Sequence, residues 1–384
     1  MAQIDLAAAA PPRAGLMERS PVRHVDPVLA LGSVVLSVYG LFMIYSATHK
    51  SLTDFGQDPR FYLKRQAIFL LVGVLSMVAA AALDYRLLKP FAAFLYAATV
   101  LMLLLVRTPL GAAVRGAQRS FQLGGFQLSP SYFARLALIV MLAAMLSSVR
   151  GEIVLRDVIR AVAVGGIPLV LVFVQPDLGT TIILSAVLVA MLVVSGTKAR
   201  YLVVLALAAS LGLFGAFQLH IFKDYQLQRI HSLFDPSADP QRAGYNKQQA
   251  EIAVGSGGVL GRGYLKGPQT NLDFVPEQHT DFIFTVVGEE LGFIGAMVLL
   301  ALFSVILWRA YRIALLAKDA FGTFIAAGVA AMIAVQVFIN VGMTIGIMPI
   351  TGIPLPFISY GGSALIADLI GMGLLQSIHM RRTL

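Results

Sequence analysis

The stretch G-P-Q-T-N-L-D-F-V-P-E-Q-H-T-D-F-I-F, residues 267–284, joins a long polar segment to a long apolar run. Four of its side chains can ionise close together, namely Asp273, Glu277, His279 and Asp281. A carboxylate at the edge of a membrane-spanning run is costly unless it has a partner or a task. The position of Asp281 therefore predicts a functional site at a membrane surface.

The composition places most of the remaining chain in a membrane. Of the 384 residues, 58% are hydrophobic and 13% are charged, with a mean hydropathy of +0.81, whereas soluble domains have about a quarter charged residues. The absence of cysteine excludes disulfides, thiolate metal sites and a cysteine nucleophile. The net charge of +9 fits cytoplasmic anchors and anionic lipids, so we predict contact with membrane lipids and none with nucleic acid.

Apolar runs of roughly twenty residues, long enough to span a bilayer, predict an all-α integral membrane protein. They predict ten transmembrane helices, at about 27–47, 66–84, 89–107, 132–149, 158–175, 179–196, 200–220, 282–308, 320–346 and 362–379. We divide the chain into a basic arm at 1–26 and a single membrane domain at 27–384. Segment 221–281 is a large extracytoplasmic loop between the seventh and eighth helices, with a short helix predicted at 245–253.

The distribution of Lys and Arg among the short loops indicates the orientation, because such loops are more basic on the cytoplasmic side. The bias favours a cytoplasmic N-terminus, and an even number of spans then places the C-terminus there too. Polar stretches gather on the outer face at 108–131, 175–179, 221–281 and 347–361. Because a long loop in a compact protein is usually functional, we expect segment 221–281 to shape a groove at the membrane surface.

Asp281 has two interpretations. A carboxylate at the boundary between water and lipid can act as a general base. It can also be the N-cap of the helix that follows, because acidic residues are favoured there. Glu277, His279 and Thr280 are the nearest candidates for supporting contacts.

Asp177 lies in the sequence Q-P-D-L-G-T at 175–180, where Pro176 and Gly179 interrupt a long apolar stretch. This pattern predicts a turn in which Asp177 caps the sixth helix. A catalytic role is the alternative. Arg135 is a cation inside a predicted span and needs a partner. We therefore predict an ion pair between Arg135 and Asp177 that supports the site.

Arg115 and Arg119 lie among glycines in the outer stretch 108–131. Two guanidinium groups suit an anion such as a lipid diphosphate, because each can donate forked hydrogen bonds. An ordinary solvated loop is the alternative. Further positive charge on the same face comes from Lys223, Arg229, Arg262 and Lys266.

Segment 352–363 contains two prolines and three glycines at a predicted membrane boundary. Such irregular backbone is tolerated at membrane depth only where it packs on protein or lines a cavity. It predicts a defined surface or re-entrant loop, with polar contacts from Ser359, Tyr360 and Ser363.

Together these stretches resemble the SEDS family (shape, elongation, division and sporulation), and its RodA branch more closely than its FtsW branch. The matching motifs are G-A-Q-R at 116–119, Q-P-D-L-G-T at 175–180, D-Y-Q-x-Q-R at 224–229, D-P-x-x-D-P at 235–240, A-G-Y at 243–245, I-A-V-G-S-G-G at 252–258, G-R-G-Y at 261–264, L-D-F-V-P-E-Q-H-T-D-F-I-F at 272–284 and G-I-P-L-P-F-I-S-Y-G-G-S at 352–363. They follow the family's order over most of the chain.

The resemblance implies a peptidoglycan glycosyltransferase with ten transmembrane helices in the bacterial inner membrane. It would polymerise lipid II, the undecaprenyl-linked disaccharide peptide, and release undecaprenyl diphosphate during cell elongation. A class B penicillin-binding protein and the elongation machinery are the implied partners. The family's catalytic aspartate falls on Asp281, its second aspartate on Asp177, and the lysine that pairs with the second on Arg135.

Two positions depart from the family pattern. Ser120 replaces a tryptophan after G-A-Q-R, and Tyr132 replaces a glutamate at the start of the fourth helix. The second change removes a carboxylate that a two-carboxylate or metal mechanism would use. A divalent cation, Mg²⁺ or Mn²⁺, stays open as a cofactor.

A flippase or transporter of the same lipid is the alternative function, and a scaffold without activity is a third. A transporter should carry its ionisable residues near the bilayer midplane. Here they gather at one outer edge, with Asp368 as the main exception. This distribution favours chemistry at the membrane surface.

Overall fold

The protein, here a computed structural model, is described at residues 24–114, 117–124, 126–219 and 243–382. Helices make up most of this part of the chain. The long apolar helices are α1 (Pro27–Asp54), α2 (Phe61–Ala82), α3 (Leu88–Leu105), α4 (Pro130–Leu146), α5 (Leu155–Val174), α6 (Leu178–Val194), α7 (Ala199–Gln218), α10 (Ile283–Leu316), α11 (Ala320–Thr344) and α12 (Gly362–Met380). Two shorter helices, α8 (Ala243–Ser256) and α9 (Pro268–Asn271), lie between α7 and α10.

Within the described residues, eight helices are long and apolar enough to cross a membrane. The helices α4 and α6 are apolar but have 17 residues each. The prediction of a multi-pass membrane protein is therefore confirmed. The number ten, the side of the loop and the division at residue 26 stay predictions.

The centre of the bundle is α12, which is buried along almost its whole length, whereas α7 has no buried residue in its apolar window. A glycine on each of two helices lets α12 and α2 approach closely. A Cβ on Gly373 would lie 2.4 Å from the carbonyl oxygen of Met77, and one on Gly73 would lie 2.5 Å from Leu369. Small residues serve this purpose in membrane bundles because lipid provides no hydrophobic drive for helix association.

A small antiparallel sheet corrects the all-α prediction. Its strands β1 (Ala112–Val114), β2 (Ala117–Leu123) and β3 (Phe126–Leu128) follow each other in the order β1-β2-β3. Gly124 turns the chain between β2 and β3 with a φ of +53°, a conformation that glycine adopts without steric cost. The ring of Phe126 packs edge-on against Phe69 at 5.4 Å, so the sheet folds over the start of α2.

The short helix predicted at 245–253 is confirmed as part of α8. The glycines after it pack against a break in α10 at Gly292, whose φ is +66°. The freed backbone groups pair across this contact, with Arg262 N donating to Glu289 O and Phe293 N to Gly258 O, both at 2.9 Å. Broken helices are tolerated in membranes when neighbouring chain satisfies the freed groups in this way.

The buried carboxylate of Glu289 fastens the loop to α10. It accepts hydrogen bonds from Gln269 N at 2.7 Å, Thr270 N at 2.9 Å and Thr270 Oγ1 at 2.6 Å. A buried carboxylate needs such donors because desolvation is costly. These bonds fix the chain immediately before residues 272–281.

At the opposite end of the bundle, Asp26 ties three helices together. Its buried side chain caps α1 by accepting from Val28 N and Leu29 N, both at 3.1 Å, and it forms an ion pair with Arg309 of α10. Its backbone exchanges two hydrogen bonds with the Gln376 amide of α12. Of the basic arm predicted at 1–26, residues 1–23 lie outside the described part of the chain.

Candidate active site

A cavity of about 580 Å³ opens between the start of α2, the sheet, and the segments that precede α10 and α12. Side chains singled out in the sequence line it, namely Arg119, Ser120, Tyr132, Asp177, His279, Thr280, Asp281, Tyr360 and Ser363. The fold therefore brings together residues from all four polar stretches predicted to share one face.

Asp281 lies in the cavity wall at the base of α10. The structure places Phe282 at the N-cap of that helix, without a side-chain cap bond, so the interpretation of Asp281 as the N-cap is wrong. Its backbone is held on both sides, because its N donates to Glu277 O at 3.1 Å and its carbonyl accepts from Asn340 Nδ2 at 2.8 Å. The same amide donates to Ile353 O at 2.7 Å.

Gly352 leaves the room that the Asp281 carboxylate occupies. A Cβ at this position would lie 3.2 Å from Asp281 Oδ2, and the residue has a φ of +72°. Glycine satisfies both requirements, because it has no Cβ and adopts left-handed backbone freely.

Aromatic rings form one wall of the cavity beside Asp281. The ring of Tyr62 lies 4.7 Å from His279 and 4.9 Å from Tyr360, centroid to centroid. Tyr360 N also donates to His279 O at 2.8 Å, which joins the two segments. Burial raises the pKa of the Tyr360 phenol, so the group remains a neutral hydrogen-bond donor at neutral pH.

Arg135 does not pair directly with Asp177, contrary to the prediction. The guanidinium is 2% exposed and donates to Gln336 Oε1 at 2.8 Å and Thr180 Oγ1 at 2.9 Å. The Thr180 hydroxyl in turn donates to Asp177 Oδ2 at 2.9 Å. Gln336 Nε2 lies 3.5 Å from Asp368 Oδ1 on the other side. Neutral side chains thus separate the buried cation from both carboxylates.

The prediction that Asp177 caps α6 is confirmed. Its Oδ1 accepts from Thr180 N at 3.0 Å and its Oδ2 from the Thr180 hydroxyl. Both oxygens are therefore engaged in holding the helix terminus, although the residue lines the cavity.

The predicted cations separate into three groups. Arg119 lines the cavity. Arg262 and Lys266 are exposed and do not line it, because their glycine-rich segment packs on α10 instead. The residues Arg115, Lys223 and Arg229 lie outside the described part of the chain.

Three further polar residues have structural contacts. Ser359 is buried and its hydroxyl accepts from Leu355 N at 2.8 Å. Ser363 joins α12 to the sheet by donating to Gln127 O at 2.9 Å. Glu277 lies outside the cavity lining and accepts from Thr280 Oγ1 at 3.2 Å.

The helix α2 supplies cavity residues that the sequence analysis missed. Tyr62, Arg65 and Phe69 line the cavity, with Arg65 adding a second cation to Arg119. Their spacing of three and four residues places them on one face of a helix. That periodicity could have indicated that these residues share a cavity, but in an apolar run it is also typical of packing between helices.

Both departures from the family pattern lie in the cavity wall. Ser120 accepts from Gln127 Nε2 at 2.8 Å. The ring of Tyr132 lies 4.5 Å from the Arg135 guanidinium carbon, so an aromatic face contacts the buried cation at this position. Among the described residues, no three His, Asp or Glu side chains cluster as a metal site, and a divalent cofactor stays a prediction.

The bundle of long apolar helices, with a broken helix and a polar cavity at one end, is that of a multi-pass membrane protein. The family model of FtsW, RodA and SpoVE, described as "Cell cycle protein", matches residues 28–384. The chain belongs to this family, which confirms the resemblance seen in the sequence.

Curated relatives match almost the whole chain. The "Probable peptidoglycan glycosyltransferase FtsW" of Geobacter sp. (strain M18) is 36% identical, over 94% of this chain and 98% of the relative. The "Peptidoglycan glycosyltransferase MrdB" of Escherichia coli (strain K12) is 38% identical, over 94% of each chain.

Solved structures have the same fold. A chain from a peptidoglycan synthase complex, studied for how polymerization and crosslinking are coordinated, superimposes with a TM-score of 0.78 at 30% identity, covering 93% of this chain and 98% of that one. The rod shape determining protein RodA of Thermus thermophilus gives a TM-score of 0.69 at 29% identity, covering 94% and 98%.

Proposed function

We propose that this chain polymerises lipid II in the described cavity, with Asp281 as the general base. The chain is a peptidoglycan glycosyltransferase, as its family membership and its relatives over 94% of its length indicate. The hydroxyl of the acceptor sugar attacks the anomeric carbon of the lipid-linked donor and loses its proton to Asp281. The bond from that carbon to the diphosphate breaks, and undecaprenyl diphosphate leaves.

The difference between the two carboxylates in the cavity carries this assignment. Thr180 occupies both oxygens of Asp177, so that carboxylate serves the end of α6. Asp281 instead lies in the cavity wall just before α10, with its backbone held by Glu277 and Asn340 and its Oδ2 beside Gly352. A positioned general base contributes roughly a hundred- to ten-thousand-fold in rate.

Two guanidinium groups are placed to receive the diphosphate. Arg119 and Arg65 line the same cavity from the sheet and from α2. Fixed cations stabilise a leaving group as its negative charge grows, and guanidinium suits phosphate oxygens through paired hydrogen bonds. Arg115 is a further candidate for this role. A divalent cation, if one is bound, would also stabilise the negative charge of the leaving diphosphate.

The aromatic wall is placed to hold the sugar rings. Tyr62, His279 and Tyr360 present rings within 6 Å of one another beside Asp281. Such side chains combine apolar faces with polar tips, which matches the mixed surface of a hexose. In this scheme they orient the acceptor toward the base.

We also propose how the chain is oriented in the membrane and which partners it has. The cavity faces the periplasm, both termini lie in the cytoplasm, and ten helices span the inner membrane. A class B penicillin-binding protein cross-links the product, as the similar chain from a synthase complex suggests. The chain acts in cell elongation and rod shape, although the relatives include both MrdB and FtsW proteins.

The test replaces Asp281 by asparagine, which keeps the size of the side chain and removes the base. Purified Asp281→Asn with a cognate penicillin-binding protein should polymerise lipid II at least a hundredfold more slowly, with unchanged thermal unfolding. Asp58→Asn, at an exposed ion pair, is the matched control and should retain full activity. Glycan strands made at the normal rate by Asp281→Asn would exclude Asp281 as the base.

The flippase alternative is tested with the same variant. Transport of fluorescent lipid II across vesicles should not depend on a base for sugar transfer. If Asp281→Asn retains transport while polymerisation is lost, the two activities are separate. If wild-type protein transports lipid II but makes no polymer with its partner, the proposed function is wrong.

A further inference from the structure

A second cavity, of about 300 Å³, lies at the opposite end of the bundle from Asp281. Its lining comes from the start of α3, the end of α4 and the start of α11. The lining residues are Arg86, Lys89, Ser147, Asp319, Ala320 and Phe321. The helix α2 separates the two cavities, since Phe61 lines the first and Ala82 ends near the second, about 30 Å away along the helix.

The second cavity is lined by two positively charged side chains and one negatively charged side chain. Asp319 accepts from Gly322 N at 2.8 Å and Tyr85 Oη at 2.7 Å, and forms an ion pair with Arg86 at 3.1 Å. The carboxylate therefore compensates Arg86 and caps α11. Lys89 has no hydrogen bond or ion pair within the described part of the chain, and its Nζ lies 5.9 Å from the ring centroid of Phe321.

One net positive charge in a small cavity suits a ligand with one negative charge. Two guanidinium or ammonium donors can contact such a group, and the Ser147 hydroxyl adds a polar contact from α4. Asp319 keeps the cavity from attracting a more highly charged anion. The matching chemistry is that of a phosphodiester.

The depth of the cavity indicates where this phosphodiester comes from. Three apolar helices begin or end here, at Leu88, Leu146 and Ala320, so the cavity lies at the level of lipid headgroups. From Lys89, α3 continues as an apolar run. A phospholipid with its phosphate in the cavity would therefore have its acyl chains in the hydrocarbon layer that this run spans.

We propose that this cavity binds the phosphodiester headgroup of an anionic phospholipid, with Lys89 as the principal contact and Arg86 as the second. The lipid contacts the N-terminus of α11, whose other end carries the Asn340 amide bonded to the Asp281 carbonyl. Occupancy should therefore stabilise the bundle without taking part in sugar transfer. The site does not depend on the proposed function.

The test measures thermal stabilisation of the full-length protein in neutral detergent at about 0.15 M salt, where exposed charges are largely screened. The probes are phosphatidylglycerol, phosphatidylcholine and inorganic phosphate. We expect saturable stabilisation by phosphatidylglycerol alone. Lys89→Gln should weaken its apparent affinity about tenfold, the loss expected for one hydrogen bond to a charged group.

Two further variants make the result specific. Lys318→Gln removes the same charge from the same end of the bundle, but this exposed residue does not line the cavity, so it should change the affinity less than about twofold. Ala320→Leu fills the cavity without changing charge and should weaken binding as Lys89→Gln does.

Equal losses in Lys89→Gln and Lys318→Gln would overturn the proposal, because they would indicate general attraction to an anionic surface. Equal stabilisation by phosphatidylcholine would exclude an anion site. Equal stabilisation by inorganic phosphate would assign the cavity to a soluble ligand instead.

Discussion

Two arginines of the bundle, Arg309 and Arg135, satisfy their charge in different ways. Near the end opposite the cavity, Arg309 pairs directly with the buried carboxylate of Asp26. Beside the candidate active site, the Arg135 guanidinium donates to the neutral side chains of Gln336 and Thr180 and lies against the Tyr132 ring, with carboxylates one hydrogen bond further away. The first arrangement is a closed pair, whereas the second is a network that reaches the cavity wall.

The difference shows which part of the molecule serves stability and which serves the site. A direct buried pair fixes two helices, and losing one partner leaves an uncompensated charge. A relayed network holds several helices while leaving a carboxylate at a cavity. Variants at the closed pair should therefore change unfolding, and variants near Asp281 should change activity.

The largest effect on stability is expected for Asp26→Asn. Asparagine still caps a helix, so the change mainly removes the charge that pairs with Arg309. Breaking a buried pair costs about 3–5 kcal/mol; because Arg309 is 20% exposed, we expect the lower end, about 3 kcal/mol. Denaturant unfolding measures the loss, and Asp58→Asn at the exposed pair with Lys64 is the control. Unchanged unfolding of Asp26→Asn would contradict the comparison.

A smaller change is expected for Thr180→Val, which keeps the shape and removes the hydroxyl between Arg135 and Asp177. Leaving buried polar groups without a partner costs about 1–2 kcal/mol. Polymerisation should also fall, because Asp177 lines the cavity. Thr180→Ser retains the hydroxyl and should restore both properties. If Thr180→Val polymerises lipid II normally, the network has no role at the site.

The smallest effect on stability is expected for Gly352→Ala. Left-handed backbone costs a residue with a Cβ about 1 kcal/mol, and the new Cβ would push Asp281 Oδ2 by a few tenths of an ångström. Because catalysis is sensitive to such displacements, the turnover number should fall about three- to tenfold. Gly56→Ala has the same backbone cost, with φ +67° and no neighbour within 4 Å of its Cβ. Equal turnover in the two variants would separate Gly352 from catalysis.

Much of the site could be predicted from the sequence because its residues lie in short, polar, unusual stretches. His279, Thr280 and Asp281 do share a cavity with Asp177, Arg119 and Tyr360. The distribution of Lys and Arg among the loops, together with the helix-breaking residues, predicted that these stretches lie on one face of the membrane. Loops at the same end of a helical bundle can lie only a limited distance apart. The cap at Asp177 was predictable for the same reason, since capping depends on neighbouring residues.

Other features could not be predicted, because they depend on contacts between distant segments. Tyr62 and Arg65 belong to an apolar helix whose orientation is fixed by its close packing on α12. The Thr180 hydroxyl lies between Arg135 and Asp177 in place of the expected ion pair. The sequence could not predict this, because the position of a buried guanidinium depends on several helices. The sheet was missed because its strands are short and begin beside glycine and arginine.

The sequence by itself determined that the chain spans a membrane several times and that an acidic residue, Asp281, stands where one long apolar run begins. Those properties follow from local hydropathy, charge and turn chemistry, which act over a few residues. Only the tertiary structure decided that α2 supplies an aromatic wall, that Asp177 is held by a hydroxyl, and that a second basic cavity exists at the other end. These features arise from packing among helices far apart in the chain, and no local pattern specifies how such surfaces meet.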